Sequence, residues 1–143
     1  MNVAAILKDK GRSVCTASPD ASLLDIAKAL AEKRIGCVVL LDDDEKVAGI
    51  VSERDLVRTL AGNGPKILEQ PVAHCMTRDV VSCRESDTID RIMAQMTSRR
   101  FRHMPVVENG RLVGLVSIGD VVKQRIAEAE MEAAAMRDYI ATG

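Results

Sequence analysis

The sequence predicts an α+β (mixed) fold. Two pseudo-symmetric β-α-β-β-α units pack together, and a long C-terminal helix follows them. Three observations predict this. The chain repeats itself: Val14 aligns with Val80, Ile26 with Ile92 and Arg34 with Arg100, each 66 residues on. Each copy shows the same order of strand-like and helix-like patterning. The last segment places Val122, Ile126, Ala129, Ala133, Met136 and Ile140 alternately four and three residues apart, which is a heptad seam. After one deletion the offset becomes 65, so that Gly49 aligns with Gly114, Ser52 with Ser117 and Asp55 with Asp120. The deletion falls between Asp42-Asp43-Asp44-Glu45 and Glu108-Asn109-Gly110, where a hairpin loop tolerates a change of length. Two copies of so long a period describe a duplicated small domain, not a solenoid.

The elements follow in order. Residues 3–7 predict a short helix and residues 13–16 a short strand, whose counterpart in the second copy is 80–83. Leu23, Ile26, Ala27 and Leu30 form one helical face, as do Ile89, Ile92, Met93 and Met96. Ser22, with Asp25 three residues on, marks a helix start of the capping-box kind. Two strands follow in each copy, Cys37–Leu41 and 47–51, then 104–107 and 112–116. Asn109-Gly110 is a strong hairpin-turn signal. Second helices begin after Ser52 and Ser117, and Gly62-Asn63-Gly64-Pro65 ends the first. The expected division is 1–66 for the first unit with its N-terminal helix and 67–143 for the second with its extended helix. Units this small are expected to share a core. The final helix is expected to run from Ile118 to about Ile140, its seam packed on its own chain and in part on a second copy.

Composition narrows the function classes. Apolar residues make up 47 % and charged residues 29 %, which is a globular composition and not a disordered one. The longest apolar run, Cys37-Val38-Val39-Leu40-Leu41, is too short to span a bilayer. Met1 to Lys8 shows neither a basic leader nor a long apolar core, so a cytoplasmic setting without membrane attachment is expected. Lys and Arg total 20 against 21 Asp and Glu, so neither nucleic-acid binding nor a polyanionic partner is expected. Only Phe101 and Tyr139 are aromatic, too few for a base-stacking platform. Cys15, Cys37, Cys75 and Cys83 lack CxxC spacing, so no structural zinc is expected and the thiols read as reduced. Asp42-Asp43-Asp44-Glu45 lacks the spacing and glycine of a calcium loop and reads as an exposed turn.

Chemistry concentrates in the repeated Gly49-Ile50-Val51-Ser52-Glu53-Arg54-Asp55 and Gly114-Leu115-Val116-Ser117-Ile118-Gly119-Asp120. A strand runs into a helix whose first N–H groups can receive a phosphate. Asp can accept hydrogen bonds from both adjacent hydroxyls of a ribose, and Arg54 adds a phosphate contact that Gly119 cannot. Ser-x-x-Asp is equally a helix-capping arrangement. No nucleophile stands beside a recognisable base, so no enzyme is expected and there are no catalytic residues to name.

Both copies resemble CBS (cystathionine-β-synthase-type) domains, and the chain as a whole resembles a stand-alone CBS-pair protein. The resemblance rests on Val14-x-Thr16, Lys33-Arg34-Ile35-Gly36-Cys37-Val38-Val39, Met76-Thr77, Arg102-His103-Met104-Pro105-Val106-Val107 and the two repeated motifs above. It implies two CBS units packed through their sheets, with clefts that bind AMP, ADP, ATP, NAD or S-adenosylmethionine. It implies ribose contacts from Asp55 and Asp120 and phosphate contacts from Ser52 and Ser117. Thr16 and Ser82 would reach ribose or phosphate, while Gly36, Cys37, Val38, Arg102, His103, Met104 and Pro105 would line the adenine pocket. Arg99-Arg100-Phe101-Arg102 is read as collecting phosphate at the cleft mouth. The implied function is a regulatory adenine-nucleotide sensor that needs no cofactor, forms a homodimer and signals to a protein target. The alternatives are a scaffold dimer, an S-adenosylmethionine binder or a nucleic-acid binder. Because Arg54 and Gly119 differ, the two clefts are expected to be unequal.

Overall fold

The computed structural model describes residues 1–142. The chain runs α1 (Val3–Lys10), β1 (Thr16–Ala17), α2 (Leu23–Lys33), β2 (Cys37–Leu41), β3 (Val47–Ser52) and α3 (Glu53–Asn63). Short 3₁₀ turns at Pro65–Glu69 and Val72–His74 lead to α4 (Ile89–Arg99), β4 (His103–Glu108), β5 (Arg111–Ser117) and α5 (Ile118–Thr142). Side-chain oxygens of Ser22, Ser52 and Thr88 cap α2, α3 and α4 by accepting from the N–H of Asp25, Asp55 and Arg91. Each cap satisfies a helix-start donor that would otherwise lack a partner.

In the first unit β1 pairs parallel with β2, and β2 pairs antiparallel with β3. In the second, β4 and β5 form an antiparallel hairpin whose two-residue turn holds Asn109 at φ 51° and Gly110 at φ 77°. Positive φ at both positions is the primed turn that Asn-Gly favours. The strand expected at 80–83 is reduced to a single bridge, Cys83 with Val106. The reason is chemical. In the first unit the Val39 N–H donates to Cys15 O at 3.1 Å. Its counterpart 66 residues on is Pro105, which has no N–H to give.

Two apolar clusters form, and each draws on residues from both sides of position 66. Leu23, Ile26, Leu30, Val38, Leu40 and Val51 of the first unit are completed by Val72 and Met76. Val3, Ile6 and Leu7 of α1 lie instead in the second cluster, with Ile89, Ile92, Met96, Met104, Val106, Val116 and Val121. The two insertions are equivalent. Val72 N–H bonds to Ala21 O, and Val3 N–H bonds to Asp87 O, which stands 66 residues beyond Ala21. The N-terminal helix therefore packs in the second unit. Sequence periodicity gives α1 an apolar face but does not say which core that face fills.

Leu7 is 1 % exposed, so Leu7→Ala should remove about 2–5 kcal/mol of stability. Amide exchange measured by residue should show β4 and β5 losing protection before β2 and β3. Loss confined to the first unit would contradict the packing of α1.

Candidate functional site

A cleft of about 680 Å³ lies between the units at the first repeated motif. One wall is the start of α3, with Ser52, Glu53, Arg54, Asp55 and Arg58; the other is the segment before β4, Arg99 to His103. Ile50, Thr77, Asp79, Val80, Val81 and Gly36 close its floor and sides. Of the expected residues the cleft gathers Gly36, Ser52, Arg54, Asp55, Arg102 and His103.

The start of α3 is a full capping box. Ser52 Oγ accepts from Asp55 N–H at 3.2 Å, and Asp55 Oδ2 accepts from Ser52 N–H at 2.9 Å. The Glu53 N–H is taken by Gly36 O at 3.0 Å. Two of the first three helical N–H groups are thus engaged inside the protein, so side chains supply most of the capacity to hold an anion. Five arginines line the cleft against three carboxylates, Glu53, Asp55 and Asp79. Arg99 pairs with Asp79 at 3.7 Å. Val80, Val81, Phe101 and Ile50 add apolar surface to the same lining.

His103 stands where the units meet. A Cβ on Gly36 would lie 3.1 Å from its Nε2, so a larger residue there would push the ring back by a few tenths of an ångström. Burial pushes the His103 pKa below its ordinary value, and the Lys10 ammonium adds to the shift against the opposing carboxylates Asp120 and Glu53. The ring is neutral near pH 7 and presents one donor and one acceptor. Cys37 behind it is buried, which drives its thiol up to about 12 and leaves it unreactive.

The remaining expected residues lie elsewhere. Val38 and Met104 are fully buried, one in each apolar cluster, and Pro105 is buried as well. These three and Cys37 lie in the packed interior and are not among the residues lining this cleft: strand alternation turns Val38 and Met104 towards the cores. Thr16 faces a separate shallow depression with Arg12, Glu45 and Arg111. Ser82 is exposed outside the cleft, and Val80 and Val81 take the place expected for it. The second motif forms the same capping pair, Ser117 with Asp120, and Gly119 is exposed. Asp120 differs from Asp55 in one respect. Lys10 Nζ lies 2.7 Å from Asp120 Oδ2 and donates to Leu115 O at 3.0 Å. Burial raises the Asp120 pKa, but the Lys10 and Ser117 hydrogen bonds outweigh it and hold the carboxyl below its usual range.

The sequence reading named neither Thr77, Asp79, Val80 and Val81 nor Arg58 as site residues. Met76-Thr77 marked the family, and Val80 was legible only as the partner of Val14. Among the described residues no His/Cys/Asp/Glu cluster could hold a metal, and no helix is long and apolar enough to cross a membrane.

Folding keeps His103 neutral, so the unfolded chain binds more protons just below pH 6.5, and stability should fall as pH drops from about 6.5 towards the depressed His103 pKa and level off below it. Asp120 acts only further down, below about pH 3.8. Thermal unfolding of His103→Gln against the parent between pH 7 and 5 should show a flatter pH profile for the variant. Parallel profiles would contradict the assignment.

The CBS domain family model matches residues 9–62 and again 72–126. The CBS-domain-containing protein ATU1752 from Agrobacterium tumefaciens superposes with a TM-score of 0.84 at 50 % identity, covering 87 % of this chain and 92 % of that one. The Pyrobaculum aerophilum CBS domain protein PAE2072, solved as a complex with AMP, gives 0.75 at 28 % identity, covering 84 % and 89 %. The CBS domain pair of MJ0100, solved with 5′-methylthioadenosine and S-adenosyl-L-methionine, gives 0.79 at 26 % identity, covering 90 % and 98 %. Among curated proteins, the mitochondrial CBS domain-containing protein CBSX3 of Arabidopsis thaliana is 30 % identical over 99 % of this chain and 72 % of its own length. With two tandem matches, and a repeated motif that builds one wall of an inter-unit cleft, the chain belongs to the CBS domain family.

Proposed function

We propose that this chain is a non-catalytic regulatory module that binds an adenosine phosphate in the cleft between α3 and β4. The observation that carries this is that one cleft is lined both by the apolar Val80, Val81 and Phe101 and by the cationic Arg54, Arg58, Arg100 and Arg102. A purine suits the first and a phosphate the second. Asp55 lines the same cleft, with carboxylate capacity beyond its capping bond for ribose hydroxyls. The relatives solved with AMP and with S-adenosylmethionine share adenosine as the common part of their ligands. An excess of arginine favours the anionic phosphate over a cationic sulfonium. Because the cleft takes residues from both units, a ligand that spans it binds one inter-unit angle better than another. That differential affinity is what drives a switch, read here by a protein target.

The second motif is the weaker site in this reading. Lys10 already occupies Asp120, whereas Asp55 forms no ion pair among the described residues. Arg100 lines the first cleft and, like its counterpart Arg34 at φ 52°, ends its helix in a left-handed conformation. It holds a left-handed backbone, φ 57°, where glycine is the usual occupant and a side chain costs about 1–2 kcal/mol.

Calorimetric titration of nucleotide-free protein with AMP, ATP, NAD and S-adenosylmethionine should give one tight site per chain for an adenosine phosphate. Asp55→Asn should weaken it about tenfold or more, while Asp120→Asn should leave it unchanged. No binding by any of the four would favour a scaffold dimer. Equal losses from both substitutions would defeat the asymmetry. Arg100→Gly should preserve or raise Tm yet weaken phosphate-dependent binding about tenfold; unchanged affinity would remove Arg100 from the phosphate grip.

A further inference from the structure

The last stretch of α5 packs on nothing in its own chain. The helix touches the body through Val121, which is fully buried, and through Glu128, which lies 3.2 Å from the N-terminal ammonium. From Ala129 to Thr142 every residue is exposed. At about 1.5 Å per residue these residues extend roughly 20 Å, a length of isolated helix that is marginal in water. The seam Val122, Ile126, Ala129, Ala133, Met136 and Ile140 lies on the side of the helix away from Val121 and Glu128. Ile126 is 54 % exposed and Ile140 70 %.

We propose that this seam is covered by the same helix of a second copy, in a parallel, in-register two-stranded coiled coil. Heptad position a takes Ile126, Ala133 and Ile140, and position d takes Val122, Ala129 and Met136. Branched isoleucine at a favours two parallel strands, and the two alanine layers let the axes approach closely. The flanking charges fix the direction. In a parallel pair Arg125 faces Glu130 of the other copy, and Glu132 faces its Arg137, each contact made twice by symmetry. In the antiparallel pair that sets Ile126 against Met136, Glu130 meets Glu130, Glu132 meets Glu132 and Lys123 meets Arg137. Every one of those contacts is repulsive. Glu130, Glu132 and Arg137 form no ion pair among the described residues, while Arg125 also reaches Asp90 and Glu128 of its own chain. This inference does not depend on the nucleotide reading.

The test is a Met136→Cys chain in which the half-exposed Cys15 and Cys75 are serine, oxidised mildly. A parallel pair brings the two introduced thiols together and should give a covalent dimer on a non-reducing gel. An antiparallel pair would hold them about 15 Å apart. It would instead link Ile126→Cys chains to Met136→Cys chains when the two are mixed. Absence of the first dimer, or preference for the mixed one, overturns the proposal. Sedimentation supplies the second arm. Arg137→Glu should weaken the dimer about tenfold, and adding Glu132→Arg on the same chain should restore it. These positions are five apart and are not neighbours on one helix, so rescue reports on contact between copies. An unchanged dimer in Arg137→Glu, or failure of the rescue, overturns the proposal as well.

Discussion

Neither half of the chain has a complete core of its own stretch of sequence, and that constraint governs the rest of the molecule. The first unit is continuous, ending with Val72 and Met76 in its interior. The second is assembled from both ends of the sequence: Val3, Ile6 and Leu7 complete a cluster otherwise made by residues beyond Cys83. The chain therefore crosses between the units twice. Burial at about 25 cal/mol per Å² makes each insertion a large fraction of a small unit's stability. Detaching α1 would open the second core, so α1 is structural and not an optional appendage.

The difference between the two clefts follows from that packing. Because α1 continues to Lys10, its last turn lies beside Asp120 and supplies an ammonium to it. In the first unit the equivalent stretch ends as a 3₁₀ turn and leads into Thr77 and Asp79. There Asp79 pairs with Arg99 and leaves Asp55 with its capping bonds alone. The two motifs share Gly, Val, Ser and Asp and form the same capping pair, but Arg54 faces Gly119 across the alignment. Their chemistry diverges through what the rest of the fold sets opposite them. An exposed ion pair such as Lys10–Asp120 contributes little to stability. Its consequence lies in which hydrogen-bond acceptors stay open.

Much of the fold was legible from residues alone, because periodicity and turn chemistry are local. The repeat, the helical faces, the Asn109-Gly110 hairpin and the Ser52/Asp55 helix start all carry short-range signals. Two features were not local. The side of a strand that meets a core depends on register, which is why Val38 and Met104 proved to be interior while Val80 and Val81 line the cleft. The core that α1 fills depends on a path through space that no window of sequence contains. The loss of a strand at 80–83 lies between these cases. Pro105 announces a missing donor, but its effect needs the knowledge that Val39 N–H makes the corresponding bond in the other copy.

One helix joins the chemistry to the assembly. α5 begins immediately after Ser117, carries Asp120 in its first turn, buries Val121 and then runs without interruption to Thr142. A helix of that length spans about 37 Å and bends little unless a proline or a bulge intervenes, and its sequence contains no proline. The cleft uses residues of both units, so under the proposed function a bound nucleotide would set the angle of the second unit against the first. Any such rotation is carried outward along α5, and a few degrees at its base becomes a displacement of ångströms at its tip. If the tips are paired in a parallel coil, they cannot move independently. The two chains then share one response, and a change of angle in one cleft alters the geometry available to its symmetry mate. If both proposals hold, a ligand contact at Asp55 is in this way converted into a change at the far end of the dimer with no requirement for any residue to unfold.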